Sequence, residues 1–173
     1  CTATLIAPRV ILTAAHCIDA AKQSLRGGAI QFRVDWPVAS SNDNFISKFY
    51  TIDSGLLSTH PSWQDSVAKG FDVGIAILKT AIPVKEVQPI STNVVSLDRT
   101  WVGKSPLFLG YGLIQSVPTA ISPSGKYGAD ITVTQVEIDR ILHGGKSKNI
   151  CHGDSGGPAL AVIDGRLRVI AVN

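Results

Sequence analysis

The sequence predicts an all-β protein built as a barrel or a sandwich. Three observations favour this class: apolar and polar residues alternate over short segments, β-branched residues are frequent in them, and turn-forming residues separate them. The pattern predicts strands at residues 2–6, 10–13, 30–34, 49–57, 73–78, 107–109, 131–138, 158–163 and 167–172. Residues 14–22 come closest to helical periodicity, and a short helix is expected there.

The turns support this order of strands. Ala7-Pro8-Arg9 separates the first two predicted strands, and Asp164-Gly165, a strong hairpin signal, separates the last two. A polar loop is expected at residues 40–44. A connection rich in small and polar residues, about 84–104, would join an N-terminal half, about 1–90, to a C-terminal half, about 100–173.

Composition and charge exclude several classes of protein. Of the 173 residues, 45% are hydrophobic and 17% are charged, which is enough apolar content for a packed core. The net charge of +3 is mild, and Lys146 and Lys148 fit a solvated loop, so no nucleic-acid partner is expected. The longest apolar runs are too short to cross a bilayer, so no membrane partner is expected.

The chain has three cysteines, Cys1, Cys17 and Cys151. An odd number in an oxidising compartment leaves one thiol without a partner. The chain also begins with Cys, and its first residues do not resemble a signal peptide. We therefore expect a piece of a longer precursor rather than an intact cytosolic protein.

The segment GDSGGP, residues 153–158, has features of a nucleophile loop. Acyl transfer needs a nucleophile, a base, a group that orients the base, and donors for the developing oxyanion. Glycines on both sides of Ser155 permit a tight turn that exposes the hydroxyl, and they let the N–H groups of Gly153 and Ser155 point into one space. Taken alone, the segment fits a glycine-rich surface turn equally well.

Two further side chains are candidates for the same chemistry. His16 follows an apolar strand, where a single histidine is more often structural than catalytic. Asp72 enters the apolar segment 73–78, and a buried carboxylate there needs a partner such as an imidazole N–H.

Taken together and in this order, TAAHC (13–17), FDVGIAIL (71–78) and CHGDSGGP (151–158) resemble the chymotrypsin/trypsin family of serine peptidases. The order His, Asp, Ser is that of this family and differs from subtilisins and α/β-hydrolases. The resemblance extends over nearly the whole chain and is weakest in residues 35–47 and 113–130. It implies two six-stranded antiparallel β-barrels, here truncated at both ends.

The resemblance also implies the roles of the site residues in a serine endopeptidase that works through an acyl-enzyme. Ser155 would be the nucleophile, His16 the general base and then the general acid, and Asp72 the residue that fixes the His16 tautomer. The N–H groups of Gly153 and Ser155 would form the oxyanion hole.

Asp154 has a structural role in the family, where it pairs with the ammonium of a newly cut N-terminus. The family's mature start, similar to Ile-Val-Gly-Gly, does not occur in this sequence. We therefore expect Asp154 either to lack that partner or to find another one.

By resemblance, Cys1 and Cys17 form the disulfide beside the catalytic histidine; two unpaired thiols are the alternative. Closing a loop of about 15 residues would contribute roughly 3 kcal/mol in the chain-entropy model. In the family Cys151 pairs with a cysteine further along the chain, so truncation explains the odd cysteine, and a free thiol is the alternative.

The substrate pocket is expected around Asn149, Ile150 and His152, with Asn149 at its floor. Trypsin-like preference for Lys or Arg uses a carboxylate at that position, so the neutral Asn149 predicts a weak preference for basic side chains. His152 is expected to face solvent at the rim of the cleft.

No cofactor and no metal are expected. A zinc site made of His16, Cys17, Cys151 and His152 is the alternative, but it lacks the paired ligand spacing that zinc sites usually show. The expected partners are a protein or peptide substrate and a protein inhibitor, and the protein is expected to be a secreted or periplasmic monomer made as a zymogen. Two other interpretations stay open: a non-catalytic binding module on this scaffold, and an inactive fragment of a peptidase.

Overall fold

A computed structural model describes residues 1–24, 28–37, 45–115, 119–121, 125–145 and 148–173. Within these residues the protein is mostly β, with one α-helix, which confirms the predicted fold class. The expected loop at residues 40–44 and Lys146 lie outside the described residues. The elements are β1 (Thr4–Ala7), β2 (Val10–Thr13), α1 (Ala15–Ser24), β3 (Gln31–Pro37), β4 (Phe45–Thr59), β5 (Gly74–Leu78), β6 (Leu107–Gly110), β7 (Tyr127–Asp130), β8 (Val133–Val136), β9 (Ile141–His143), β10 (Pro158–Ile163) and β11 (Arg166–Val172).

The first five strands form one antiparallel sheet in the order β1-β2-β5-β4-β3. Alternate apolar side chains of these strands point to one face, where α1 adds Ile18. The resulting core is nearly closed to solvent. Its buried members are Leu5, Ile11, Ile18, Tyr50, Ile52, Ala76, Leu78 and Ile82.

The remaining strands form a four-stranded sheet, β11-β10-β6-β7, and the hairpin β8-β9. Phe108, Ile131 and Ala159 make the core of this part. A third cluster contains Leu12 from β2 and Leu160 from β10, so it joins the two sets of strands. The sheets occupy residues 4–78 and 107–172, and the division into halves at about 90–100 stays a prediction.

Three details differ from the sequence-based expectations. Residues 127–130, expected within a poorly matching loop, form β7 and pair with β6. The predicted strand 131–138 is shorter, because only Val133–Val136 is extended as β8, and it pairs with β9, which was not predicted.

Among the described residues, none belongs to a helix with the length and apolar character needed to cross a membrane.

The register of the first sheet positions the site. Thr13, the last residue of β2, lies opposite Gly74, the first residue of β5. His16 follows three residues after Thr13, and Asp72 lies two residues before Gly74. Because antiparallel pairing places the end of one strand beside the start of its neighbour, the two side chains emerge at the same edge.

Candidate active site

Asp72 makes two hydrogen bonds to His16. Its Oδ2 lies 2.7 Å from Nδ1 of the imidazole, and its Oδ1 accepts from the His16 backbone N–H at 2.9 Å. His16 is the second residue of α1, where backbone N–H groups have no partner within the helix. The carboxylate therefore caps the helix with one oxygen and orients the ring with the other. A neutral ring bound in this way carries its proton on Nδ1 and leaves the Nε2 lone pair available as a base.

The backbone before Asp72 is held in an uncommon conformation. Phe71 has a φ of 56°, which is strained for a bulky residue. Its ring stacks on His60, with centroids 5.0 Å apart and an interplanar angle of 14°. This stacking gives His60 a packing role beside Asp72.

The loop that carries Ser155 is held by main-chain hydrogen bonds. The Ser155 carbonyl accepts from Thr2 N–H at 2.7 Å, and Gly156 N–H donates to the Asn173 carbonyl at 2.5 Å. Asn173 N–H donates to the Gly157 carbonyl at 2.9 Å. The loop is therefore fastened on one side to Thr2, two residues before β1, and on the other to Asn173, the residue after β11.

Ser155 and His16 both lie near Cys17. Among the described residues, no hydrogen bond joins the Ser155 side chain to the imidazole. Cys17 Sγ lies 3.6 Å from His16 Nε2 and 3.5 Å from the Ser155 carbonyl oxygen, so both residues are close to Cys17. The structure thus brings His16 and Asp72 together, and it brings Ser155 to the residue next to His16.

Asp154 has found other partners. Its Oδ1 accepts from Gly112 N–H at 2.9 Å, and its Oδ2 accepts from Cys151 N–H at 2.7 Å. Gly112 permits this approach, because a Cβ there would lie 2.6 Å from both the Asp154 amide nitrogen and Oδ1. Gly153, with a φ of 100°, turns the chain so that its own Cβ position would lie 2.8 Å from Gly112 Cα.

Thr2 is a positioning residue that the sequence analysis missed. It is 5% exposed, and its hydroxyl donates to the Gly153 carbonyl at 2.9 Å and accepts from Tyr111 N–H at 3.1 Å. Its carbonyl accepts from the Thr13 hydroxyl at 2.8 Å. These partners lie far apart in sequence, and a threonine after a cysteine carries no local signal of such a role.

The structure contains the Cys1–Cys17 disulfide, with Cα atoms 6.1 Å apart. Cys151 is not disulfide-bonded and is half-buried. The bridge anchors the start of the described chain to α1 beside His16.

The expected pocket residues are separated in the structure. Ile150 lines a cavity of about 580 Å³ together with Asp72, Phe108 and Asn173. Asn149 is exposed and donates to the Gly145 carbonyl at 3.0 Å, away from the lining of this cavity. His152 is exposed. The roles of all three in substrate binding stay predictions.

His143 and Asn173 also line this cavity, and sequence reasoning gave neither of them a role there. The Nδ1 atom of His143 and the Nδ2 atom of Asn173 are buried and have no hydrogen-bond partner in the described part of the chain. The His143 ring packs against Phe108, with centroids 4.4 Å apart. Burial lowers the pKa of His143 from its ordinary value of 6.5, which favours the neutral form of the ring.

Comparison with known proteins defines the class. The sequence model of the trypsin family, described as "Trypsin", matches residues 1–172, so the chain belongs to this family of chymotrypsin/trypsin-like serine peptidases. A solved structure of neuropsin, described as a serine protease expressed in the limbic system of mouse brain, superposes with a TM-score of 0.72. The superposition covers 99% of this chain and 75% of the neuropsin chain, with 20% sequence identity. This likeness supports the assignment of the fold.

Two curated relatives show the range within the family. Phenoloxidase-activating factor 3 of Holotrichia diomphalia is 28% identical over 91% of this chain and 50% of its own length. Chymotrypsin-like elastase family member 1 of Bos taurus is 28% identical over 99% of this chain and 66% of its own length. The chain therefore spans half to about two thirds of the length of these relatives.

Proposed function

We propose that this chain carries the catalytic residues of a secreted serine endopeptidase, with His16, Asp72 and Ser155 as the triad. The observation that carries the proposal is the two-point contact of Asp72 with His16, at 2.7 Å and 2.9 Å. A carboxylate that only capped α1 would need one oxygen. The second oxygen binds Nδ1 of the ring, which leaves Nε2, on the side away from Asp72, as the basic atom.

The reaction that we propose is the one that the family resemblance implies. Ser155 Oγ attacks the carbonyl carbon of the scissile peptide bond while its proton passes to His16 Nε2. His16 then gives this proton to the leaving amine, and the acyl-enzyme remains. Water repeats the sequence with His16 as base and releases the acid. Gly153 and Ser155 N–H groups stabilise the oxyanion in both halves, each donor being worth about 3 kcal/mol of barrier.

The substrate class and setting are part of the same proposal. The substrate is a protein or peptide, and the family position of Asn149, which offers no carboxylate, predicts a weak preference for Lys or Arg before the cleaved bond. The enzyme acts as a secreted monomer, without a cofactor, after activation of a longer zymogen, and a protein inhibitor can occupy its cleft. The Cys1–Cys17 disulfide fits an oxidising compartment.

A fluorophosphonate probe tests the triad, because it reacts covalently with an activated serine. Labelling is expected in the wild type and in the exposed-site control Ser54→Ala, and it should disappear in Ser155→Ala and His16→Ala. The measurement is mass spectrometry of the labelled peptide. Labelling that persists in Ser155→Ala would remove this residue from the mechanism.

A second candidate is a binding module without catalysis. One observation favours it: among the described residues, the Ser155 side chain makes no hydrogen bond to the His16 ring. Such contacts often form only when substrate binds, so the probe decides between the two. No labelling, even in a version extended at both ends, would favour the binding module, whereas labelling that needs the extension would indicate an incomplete site in this chain.

A further inference from the structure

Asp72 lies near the end of a loop whose two ends are joined. The loop spans residues 60–73, and we call it the Asp72 loop; the N–H group of its first residue donates to the carbonyl of its last residue at 2.8 Å. Near its start, Trp63 Nε1 donates to Asp19 Oδ2 of α1 at 2.7 Å. The first part of the loop is therefore held to the helix that carries the base, and the part just before Asp72 depends on other contacts.

The backbone just before Asp72 has an uncommon conformation. Gly70 and Phe71 have φ values of 76° and 56°, so two successive residues have a positive φ. Val73 N–H donates to the Phe71 carbonyl at 2.8 Å, which makes Asp72 the middle residue of a three-residue turn. The direction of the Asp72 carboxylate thus depends on the conformation of Phe71, and such a strained conformation persists only where neighbouring groups hold it.

Asp139 and Arg140, in the turn between β8 and β9, supply neighbouring groups of this kind. Arg140 Nη2 donates to the Ala68 carbonyl of the loop at 3.2 Å. The Asp139 carboxylate lies against Gly70, where a Cβ would collide with Asp139 Oδ2 and would lie 2.9 Å from Arg140 Nη2. These two side chains, which we call the clamp, therefore contact the loop two to four residues before Asp72.

The guanidinium of the clamp is itself fixed. Arg140 Nε and Nη2 donate to the two carboxylate oxygens of Asp139 at 3.2 Å and 2.9 Å. Glu137 N–H donates to the Arg140 carbonyl at 2.8 Å, which closes the turn. The side chain of Asp139 is 10% exposed and that of Arg140 is 32% exposed. Because a charged pair with two hydrogen bonds has a defined geometry, the clamp can hold the loop in place.

We propose that Arg140 is a positioning residue of the active site. Its contacts hold the backbone before Asp72 and thereby keep both carboxylate oxygens on His16. When the clamp is released, Phe71 can relax to a negative φ, the turn at Asp72 rotates, and the 2.7 Å contact with Nδ1 lengthens. The effect on the reaction rate rests on the proposed function, whereas the effect on the contact between Asp72 and His16 does not.

Arg140→Met tests the effect on rate, because Met keeps much of the length of the side chain and removes every donor. The labelling rate of Ser155 with the fluorophosphonate probe is expected to fall about tenfold, since a small displacement of a positioned group is costly in rate. Arg168→Met is the matched control: Arg168 Nη1 also donates to a loop carbonyl, that of Thr92, at 3.4 Å. The control should label within about twofold of the wild type. An equal fall in both variants, or no fall in Arg140→Met, overturns the proposal.

NMR of protein with ¹⁵N-labelled histidines tests the contact without any assay of activity. At alkaline pH, where histidine rings are neutral, the shifts of the two ring nitrogens report which of them carries the proton. The signals of His16 are identified by their loss in His16→Ala. The wild type should carry the proton on Nδ1, and Arg140→Met should show a larger share of the tautomer with the proton on Nε2. An unchanged tautomer in Arg140→Met overturns the proposal even if the labelling rate falls.

A double-mutant cycle tests whether Arg140 acts through Asp72. Arg140→Met is made in the wild type and in Asp72→Asn, and the two changes in labelling rate are compared. If Arg140 only positions Asp72, its replacement should change the rate less than about twofold in the Asp72→Asn background. Additive losses overturn the proposal, because they mean that Arg140 acts by another route.

Asp139→Asn is a milder second variant. It keeps the shape of the side chain that lies against Gly70 and removes the charge that fixes Arg140, so the test does not depend on whether Arg140→Met folds. The labelling rate should fall about threefold, and the tautomer of His16 should shift in the same direction as in Arg140→Met. A wild-type rate and a wild-type tautomer in Asp139→Asn overturn the proposal.

Failure of the proposed function gives a different result. If the wild type is not labelled, the triad is wrong, and the tautomer measurement still tests whether Arg140 positions Asp72. If the wild type and Arg140→Met are labelled at the same rate, the triad stands and the positioning role of Arg140 is wrong.

Discussion

The two ends of the site are held in opposite ways. At the base end, a side chain holds His16, because Asp72 binds both the ring and the backbone N–H. At the nucleophile end, the backbone of Ser155 and Gly156 is held by Thr2 N–H and by the Asn173 carbonyl. In the described part of the chain, the Asp154 side chain in that loop also binds only backbone groups.

This difference indicates which changes each end tolerates. The base end depends on the chemistry of one carboxylate, so a substitution of equal size is enough to disable it. The nucleophile end depends on many backbone contacts, each modest in free energy. We therefore expect single substitutions there to have smaller effects, spread between stability and reactivity.

Asp72→Asn is expected to have the largest effect. The amide oxygen can keep the bond to His16 N–H, which leaves the NH₂ group facing Nδ1. This stabilises the tautomer with the proton on Nε2, and that ring cannot accept the Ser155 proton. The labelling rate should fall on the order of 10⁴-fold with little loss of stability. Stopped-flow labelling and thermal unfolding measure both; an unchanged rate would contradict the assignment of Asp72.

Asp154→Asn should have the next largest effect. An amide can accept from only one of the two N–H groups, Gly112 or Cys151, and its NH₂ faces the other donor. The loop that aims Gly153 N–H then loses one of its fixed points, and the labelling rate should fall by on the order of a hundredfold, similar to losing an oxyanion donor. Asp130→Asn, at an exposed position of β7, is the matched control and should label normally.

Thr2→Val tests the backbone attachment at a residue of nearly equal shape. The change leaves the Gly153 carbonyl and the Tyr111 N–H without their hydroxyl partner, which should lower the free energy of unfolding by about 2 kcal/mol. Thr2→Ser keeps the hydroxyl and should retain most of that stability. Urea unfolding of both variants measures the difference, and a loss in Thr2→Ser with none in Thr2→Val would show that the methyl group, rather than the hydroxyl, matters.

The sequence predicted most of the strands for local reasons, and it predicted the base end of the site from the family resemblance. β2, β5, β10 and β11 alternate clearly or form short apolar runs, and Asp164-Gly165 marks the final hairpin. The ring and carboxylate partners were predicted from the family resemblance, and the Thr13–Gly74 register brings them together.

The features of the fold and the site that the sequence did not predict depend on contacts between residues that are distant in the chain. β7 contains Gly128, which weakens its strand pattern, and it is extended because it pairs with β6. Thr2 holds Gly153, 151 residues away, through its side chain, and no local pattern could indicate this. Asn149 was placed in the pocket by position alone, whereas His143 and Asn173 line the cavity because of how β9 and β11 pack.

His143→Phe should have the smallest effect, and it separates the pH dependence of the fold from that of the site. Because burial lowers the pKa of His143 in the folded state, the unfolded chain takes up this proton first as the pH falls below 6.5. Stability is therefore lost over that range in the wild type. Phe keeps the packing on Phe108 and cannot titrate, so urea midpoints at pH 7.5 and pH 5 should differ less in the variant. The control variant His152→Gln, at an exposed position, should keep the wild-type difference between the urea midpoints at the two pH values. If this difference shrinks equally in His152→Gln, the pH dependence does not come from His143.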